Sequence, residues 1–364
     1  MHAMLAMTAN EHLLELAPCN LPVLRHLRYD GGGLGVPMAE FAPEDQAILR
    51  TLYEGVQGFH TAWRARRNDP DQSFLDARLR DLGADAFLAA AQRLGDATVA
   101  RGARNLIRKV VHDVRGGGLT VLIGTAKMVR MGYRDVNGVK TCASLARDHA
   151  KIMRNALTDI DTPVRDAEEA AKPHGIGHFI DKWTDTHIQV EDRAVHVSLR
   201  CDFTGNISAR CLETSAIDRI LYNYINNAAR FSADGEVVMT IVPVGDELVR
   251  WVVSNAVTAK QRHWLGLKVG ADLRPLFRGG FTNGGHGIGL SNCADFLAAC
   301  FGLRAPQEAV ERGYLGAKVI EDQYHAWFHW PVLLPSASGP RGGAFAKKRG
   351  QVHFPASTPA LSSG

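Results

Sequence analysis

Asn223-Tyr224-Ile225-Asn226-Asn227-Ala228 and, further along the chain, Gly284-Gly285-His286-Gly287-Ile288-Gly289-Leu290 are the stretches whose reading decides the fold. The first lies on a strongly periodic helix from about Thr214 to Arg230, whose packing face is Ile217, Leu221, Tyr224, Ile225 and Ala228. Asn223 and Asn227 fall one turn apart beside that face. Asn is a poor choice inside a helix, so the pair needs a reason; bonding to neighbouring strands or facing water would be one. The second stretch is a glycine-alternating turn leading into an apolar helix, Leu290 to Phe301. A loop of backbone amides can cradle phosphates, and amide oxygens can coordinate a hard cation riding on those phosphates. Together the two stretches suggest a nucleotide site. Arg230 lies on the side of Asn227, where it could reach a phosphate, and Phe231 could pack on a base.

The surrounding sequence alternates helix and strand signals from about Ile176. Ile176 to Asp185 reads as a short helix, Val195, Val197 and Leu199 alternate as a strand, and Ile207 to Leu212 is a strand candidate. Val237 to Val244 and Leu248 to Ser254 read as a strand pair turning at Gly245-Asp246. Thr258 to Asn283 has weak periodicity and many Gly, Lys and Arg, as a mobile lid would. Lys318 to Glu321 and Ala326 to Trp330 are closing strands. This is the pattern of a two-layer α/β sandwich.

Upstream, one long helix is expected from about Asp85 to Met131. Its heptad seam runs through Ala103, Ile107, Val110, Val114, Gly117 and Val121. A turn near Met131 to Gly138 leads to a second helix, Val139 to Leu157 and extending toward Ala171, with Cys142, Leu145, Ile152 and Ala156 on one side. One such hairpin exposes a long apolar stripe, and a homodimer making a four-helix bundle is the natural way to bury it. His112 points away from the seam, toward solvent, next to Asp113. An exposed imidazole beside a carboxylate suits an in-line phosphoryl acceptor, because Asp113 can orient one ring nitrogen or take its proton. A lone surface His would have the same pattern. Gly116-Gly117-Gly118 follows, at a cost of roughly 3 kcal/mol relative to alanine within a helix. Residues 1–95 read as helices broken by loops, with a clear apolar pattern from Pro43 to Arg67. Residues 336–364 are rich in Ser, Pro, Gly and Ala, with a basic Lys347-Lys348-Arg349 cluster, the composition of a disordered tail.

Composition sets bounds on the rest. A chain of 364 residues holds two or three domains, and a net charge of +4 is too small to imply a nucleic-acid partner. Six Cys without close paired spacing fit a reducing cytosol rather than a zinc ribbon or disulfide framework. No apolar run reaches the ~18–20 residues that span a bilayer. The expected location is cytoplasmic.

The residues also carry a family resemblance. Leu221 to Ser232 resembles the N box of the sensor histidine kinases, within the wider ATPase superfamily that includes gyrase and MutL. Gly285-His286-Gly287-Ile288-Gly289-Leu290 resembles their second glycine box, and Leu276 to Phe281 the phenylalanine box of their ATP lid. Val111 to Arg115, followed by Leu119-Thr120, resembles their H box. The resemblance implies an α+β chain. Its parts are an N-terminal helical region (1–95), a dimerisation and phosphoacceptor hairpin (96–172), an ATP-binding domain (173–335) and a tail (336–364). It implies that Asn227 binds Mg²⁺ with Asn223 in support, that Arg230 contacts the phosphates of ATP, and that amides around Gly285, Gly287, Gly289 and Leu290 wrap them. His286 falls at a variable position of the box. The implied activity is autophosphorylation of His112 and transfer to an Asp of a response-regulator receiver domain.

Two departures stand out. Asn255 falls where the family has an adenine-binding Asp; its carbonyl oxygen can accept the same hydrogen bond. The glycines that normally follow are missing. Gly116 stands four residues past His112, where family members that also act as phosphatases carry Thr or Asn, which implies weak or absent phosphatase activity of that type. An alternative from another class is a degenerate kinase-fold adaptor that binds a regulator or kinase without efficient turnover. A third reading is a kinase acting on Ser of a partner.

Overall fold

The computed structural model describes residues 13–18, 21–22, 35–66, 72–131, 136–190, 193–281 and 287–334. It is an α+β protein, with a helical N-terminal half leading into a mixed six-stranded sheet. The expected turn at 132–135, the tail beyond Leu334, and residues 282–286, which include Gly285 and His286, lie outside the described residues.

The sheet has the order β2-β3-β5-β6-β8-β7. Its strands are β2 (Thr186–Val190), β3 (Arg193–Cys201), β5 (Glu236–Val244), β6 (Leu248–Ala256), β7 (Leu315–Ile320) and β8 (Gln323–Pro331). A separate short ribbon pairs β1 (His174–Gly175) with β4 (Asn206–Ser208). Among the described strands of this sheet only β3 and β5 run parallel, and a parallel pair needs a crossover. The helix in that crossover is α10 (Cys211–Phe231), so the Asn pair sits on the element that knits the sheet. With α9 (Gly177–Trp183) and α12 (Gly289–Cys300) it helps to build the helical layer. Trp251 of β6 makes the junction of the two layers, edge-on to Phe179 at 5.1 Å and stacked on Phe328 at 5.7 Å.

The opposite face of β6 is also closed, by the segment around residues 13–18. Leu13 and Leu16 pack on Val252 and Trp327. Arg250, fully buried, donates through Nη1 to the carbonyls of Leu13 and Leu14 and through Nη2 to those of Ala17 and Pro18, at 2.6–3.2 Å. Its Nε donates to His329 Nε2 at 2.9 Å.

The expected 85–131 helix is four helices: α3 (Asp85–Arg93), α4 (Asp96–Ala100), α5 (Asn105–Arg115) and α6 (Gly117–Arg130). Gly116 ends α5 with ψ −149°, outside any helical value, so the glycine run breaks the arm immediately after the turn that carries His112. The second arm, α7 (Val136–Ala156), stops short of Ala171. Leu157 instead bridges to Val36, and Asp161 caps a new helix, α8 (Thr162–Glu168).

Most of the expected seam faces inward: Ile107, Val110, Val114 and Val121 meet Cys142, Leu145, Ile152 and Ala156, all 4% exposed or less, whereas Ala103 is half-buried and precedes α5. What covers it is the same chain. Helix α1 (Pro43–Arg66) buries Leu49, Leu52, Val56 and Phe59 and packs along α7, while α2 (Gln72–Leu82) and α10 meet α6. Burial of the stripe therefore does not require a second copy. Asp45 of α1 accepts from the backbone N–H groups of Gly95 and Thr98, both at 2.7 Å, and Arg154 of α7 donates to Tyr53 Oη at 3.0 Å and pairs with Glu168.

Candidate active site

Helix α10 is buried on nearly every side because layers pack all around it; among its core residues Ile217, Ile220, Leu221, Tyr222, Tyr224 and Ile225 are 1% exposed or less. Its C-terminal carbonyls end on Arg193, whose guanidinium donates to Ala229, Arg230 and Ser232 at 2.9–3.1 Å. The helix end that carries Asn227 and Arg230 is thereby held by a side chain from the sheet.

Asn223 donates from Nδ2 to the Arg219 carbonyl at 2.9 Å and turns Oδ1 toward Gly289. A Cβ built on Gly289 would stand 2.9 Å from that oxygen, so only glycine lets the two elements approach this closely. Gly287 has φ +66° and accepts at its carbonyl from the Gly280 N–H at 3.2 Å, joining the glycine turn to the lid. The lid is more ordered than its weak periodicity suggests. Thr258 and Gln261 form a capping box that starts α11 (Ala259–Lys268), and Leu276 and Phe277 lie on a 3-10 turn from Arg274 to Arg278. Local capping chemistry, rather than an apolar stripe, makes that helix.

These elements enclose a cavity of about 450 Å³. Asn223, Asn227, Arg230, Phe231 and Asn255 line it, as do Gly287, Gly289 and Leu290. His112 lines the same cavity, together with Gly116 and Thr120. Sequence reasoning did not single out Gln189, Asn226, Trp264 or Tyr324, which also face the space. Gln189 and Tyr324 come from strands β2 and β8, and only the sheet order brings them to the cavity. Among the described residues no carboxylate lines it.

Asn255 is 3% exposed; its Nδ2 donates to the Ala256 carbonyl at 2.9 Å, and its Oδ1 has no hydrogen-bond partner among the described residues. Fixing the nitrogen leaves the oxygen as an unspent acceptor. That matches a ligand group bearing N–H, such as an exocyclic amine.

Two expectations for the hairpin need correction. His112 does point away from the seam, but into the cavity and half-buried rather than into open solvent. A Cβ on Gly289 would lie 3.8 Å from His112 Cε1, and His112 Nδ1 stands 3.4 Å from Asn292 Nδ2. Asp113 is buried and pairs with Arg219 of α10, whose guanidinium stacks 3.9 Å over the Phe296 ring. It is thus engaged in docking α5 onto the helical layer rather than placed as the base for His112. Successive helix residues point about 100° apart, so a pair at i, i+1 need not meet on one face. Lys109 makes a parallel tie to Asp295 of α12.

Behind α10 a buried charge cluster holds the hairpin from the other side. Lys182 donates to Asp148 Oδ2 at 2.6 Å and to Asp218, and Tyr222 Oη donates to Asp148 at 3.2 Å. Burial and the Asp148 charge push the Asp218 carboxyl up to about 6. Burial would raise Asp148 as well, but the Arg147 and Lys182 charges hold it well below the usual carboxylate range. His149, fully buried in the same region, is pushed down to about 3 by burial.

No protein-family model matches the sequence, and no curated protein matches it. The chain is similar to solved structures that are sensor histidine kinases. The mycobacterial sensor histidine kinase MprB is 12% identical, covering 44% of this chain and 97% of its own, with a TM-score of 0.27. Full-length ShkA in complex with AMPPNP is 14% identical, covering 66% of this chain and 46% of its own, with a TM-score of 0.31. The Acinetobacter baumannii histidine kinase AdeS is 12% identical, covering 61% and 96%, with a TM-score of 0.22. Among the described residues no helix is long and apolar enough to cross a membrane.

Proposed function

We propose that this chain is an ATP-dependent protein-histidine kinase that phosphorylates its own His112 and passes the phosphoryl group to an Asp of a response-regulator receiver domain, in the cytoplasm. The observation that carries the reading is that His112 and the Asn and glycine residues of the nucleotide cradle line one cavity.

In this reading Asn255 Oδ1 accepts from the adenine amino group, Phe231 packs near the base, and Arg230 meets the phosphates. Amides of the glycine turn at Gly285, Gly287, Gly289 and Leu290 wrap the phosphates. Asn227 offers an amide oxygen to Mg²⁺, and Asn223, braced against Gly289, supports it. Bound Mg²⁺ would supply charge neutralisation on the transferring phosphoryl group. The protein's own contribution is positioning: the Gly116 break ends α5 just after His112, and the Asp113–Arg219 and Lys109–Asp295 pairs fix that helix on the nucleotide-binding layer. A homodimer would have to use a surface other than the seam.

The second reading, a nucleotide-binding adaptor without efficient turnover, draws on Asn255 and on a lid that opens with a capped helix instead of glycines. Purified full chain incubated with γ-labelled ATP and Mg²⁺ separates the two. The kinase reading expects acid-labile, alkali-stable label in the wild type and its loss in both His112→Gln and Asn227→Ala. Retained nucleotide binding without label favours the adaptor, and acid-stable label on a partner favours a Ser kinase.

A further inference from the structure

Asn292 sits on the first turn of α12, 1% exposed. Its carboxamide meets the His112 ring edge at Nδ1, 3.4 Å from Nδ2, and its Oδ1 has no hydrogen-bond partner among the described residues. A buried acceptor left unpaired is destabilising. The two ends of a carboxamide have nearly the same shape, so the surrounding donors and acceptors decide which end faces the ring.

The choice controls the nucleophile. With Nδ2 toward the ring, Nδ1 must accept, and the proton of a neutral imidazole then resides on Nε2. With Oδ1 toward the ring, Nδ1–H donates to it, Nδ2 turns to where Oδ1 stood, and Nε2 keeps its lone pair. Only the second arrangement leaves the far nitrogen able to attack.

We propose that Asn292 is a positioning residue that holds His112 in the Nδ1–H tautomer through Oδ1, leaving Nε2 as the phosphoryl acceptor. The inference rests on the kinase reading above. It also gives a place to the role that the sequence suggests for Asp113, whose carboxylate is engaged with Arg219. In the transfer, the Nε2 lone pair forms the N–P bond as the bridging Pγ–O bond breaks, and that electron pair leaves on ADP. The phosphorylated ring is briefly cationic. The neutral carboxamide orients its Nδ1 proton without removing it, and the proton is lost to water afterwards.

The test uses full-length protein labelled with ¹⁵N-histidine, with the His112 signals assigned by their absence in His112→Gln. Long-range ¹H–¹⁵N spectra should show the wild-type ring protonated at Nδ1. Asn292→Leu, close in shape but without polar atoms, should move it to the Nε2–H form. Asn292→Asp should retain Nδ1–H. In the labelling assay Asn292→Leu should lower kcat by about 10²-fold with little change in KM for ATP, and Asn292→Asp should recover most of the rate. A wild-type ring protonated at Nε2, or an Asn292→Leu ring unchanged from wild type, would overturn the proposal. If the tautomer shifts as expected but no phosphohistidine forms in the wild type, the kinase reading fails while the tautomer assignment stands.

Discussion

Asp113 and Arg219 form a buried pair whose value is structural. Removing one partner leaves the other charge buried and uncompensated, at about 3–5 kcal/mol. Asp113→Ala should therefore lower the melting temperature strongly, and the double variant Asp113→Leu/Arg219→Met should recover part of the loss. Equal stability of Asp113→Ala and wild type would remove the docking role. His149 gives a second residue-scale prediction. Burial lowers it from 6.5 in the unfolded chain to about 3 in the folded one. The unfolded state binds the extra proton, so stability is fully present above pH 6.5 and falls as the pH drops toward 3. At pH 5 the difference is about 2 kcal/mol. Burial lowers His178 and His329 to about 3 as well, so urea unfolding at pH 7 and pH 5 should show a combined decline, of which His149→Phe should remove about 2 kcal/mol.

At the scale of elements, α10, α12, β5 and β6 were legible in the sequence because each couples its period to burial. Tyr224 and Ile225 alternate with the Asn pair at helical spacing, and the Gly245-Asp246 turn fixes the β5–β6 pairing. Helix α11 and strand β2 were not legible. The first depends on a capping box on an otherwise polar stretch, and the second on an edge position that only pairing with β3 reveals. The heptad seam was read correctly, but its covering was not. A stripe says that something apolar lies on it, not whether that is a second chain or α1. At the site, Asn227 and the glycine turn were visible as motifs, whereas Asn292 was not. It reaches His112 across a sequence separation of 180 residues, and nothing local marks that contact. A prediction follows for the Gly116 break. Gly116→Ala, whose Cβ would fall 2.8 Å from the His112 carbonyl, should favour a continuous helix, displace His112 and slow labelling by roughly 10-fold or more without weakening nucleotide binding. Unchanged labelling would show that the break does not set the geometry.

For the whole molecule, His112 lies within its own chain's cavity, so phosphorylation is expected in cis. Mixing His112→Gln, which keeps an intact cradle, with Asn227→Ala, which keeps an intact His, should not restore label. Restored label would show transfer between chains. The clasp of Arg250 on the carbonyls of Leu13, Leu14, Ala17 and Pro18 has a different kind of consequence, one of timing. During synthesis, residues 13–18 leave the ribosome long before β6 and β8 exist to receive them. Closing that loop is among the most non-local events the chain undergoes, and such closures come late and slowly. Until β6 arrives, the first segment waits without its seat; until the segment docks, a finished sheet holds a guanidinium that has lost its carbonyls. Docking of the first segment is therefore a late step that completes the outer face of the sheet.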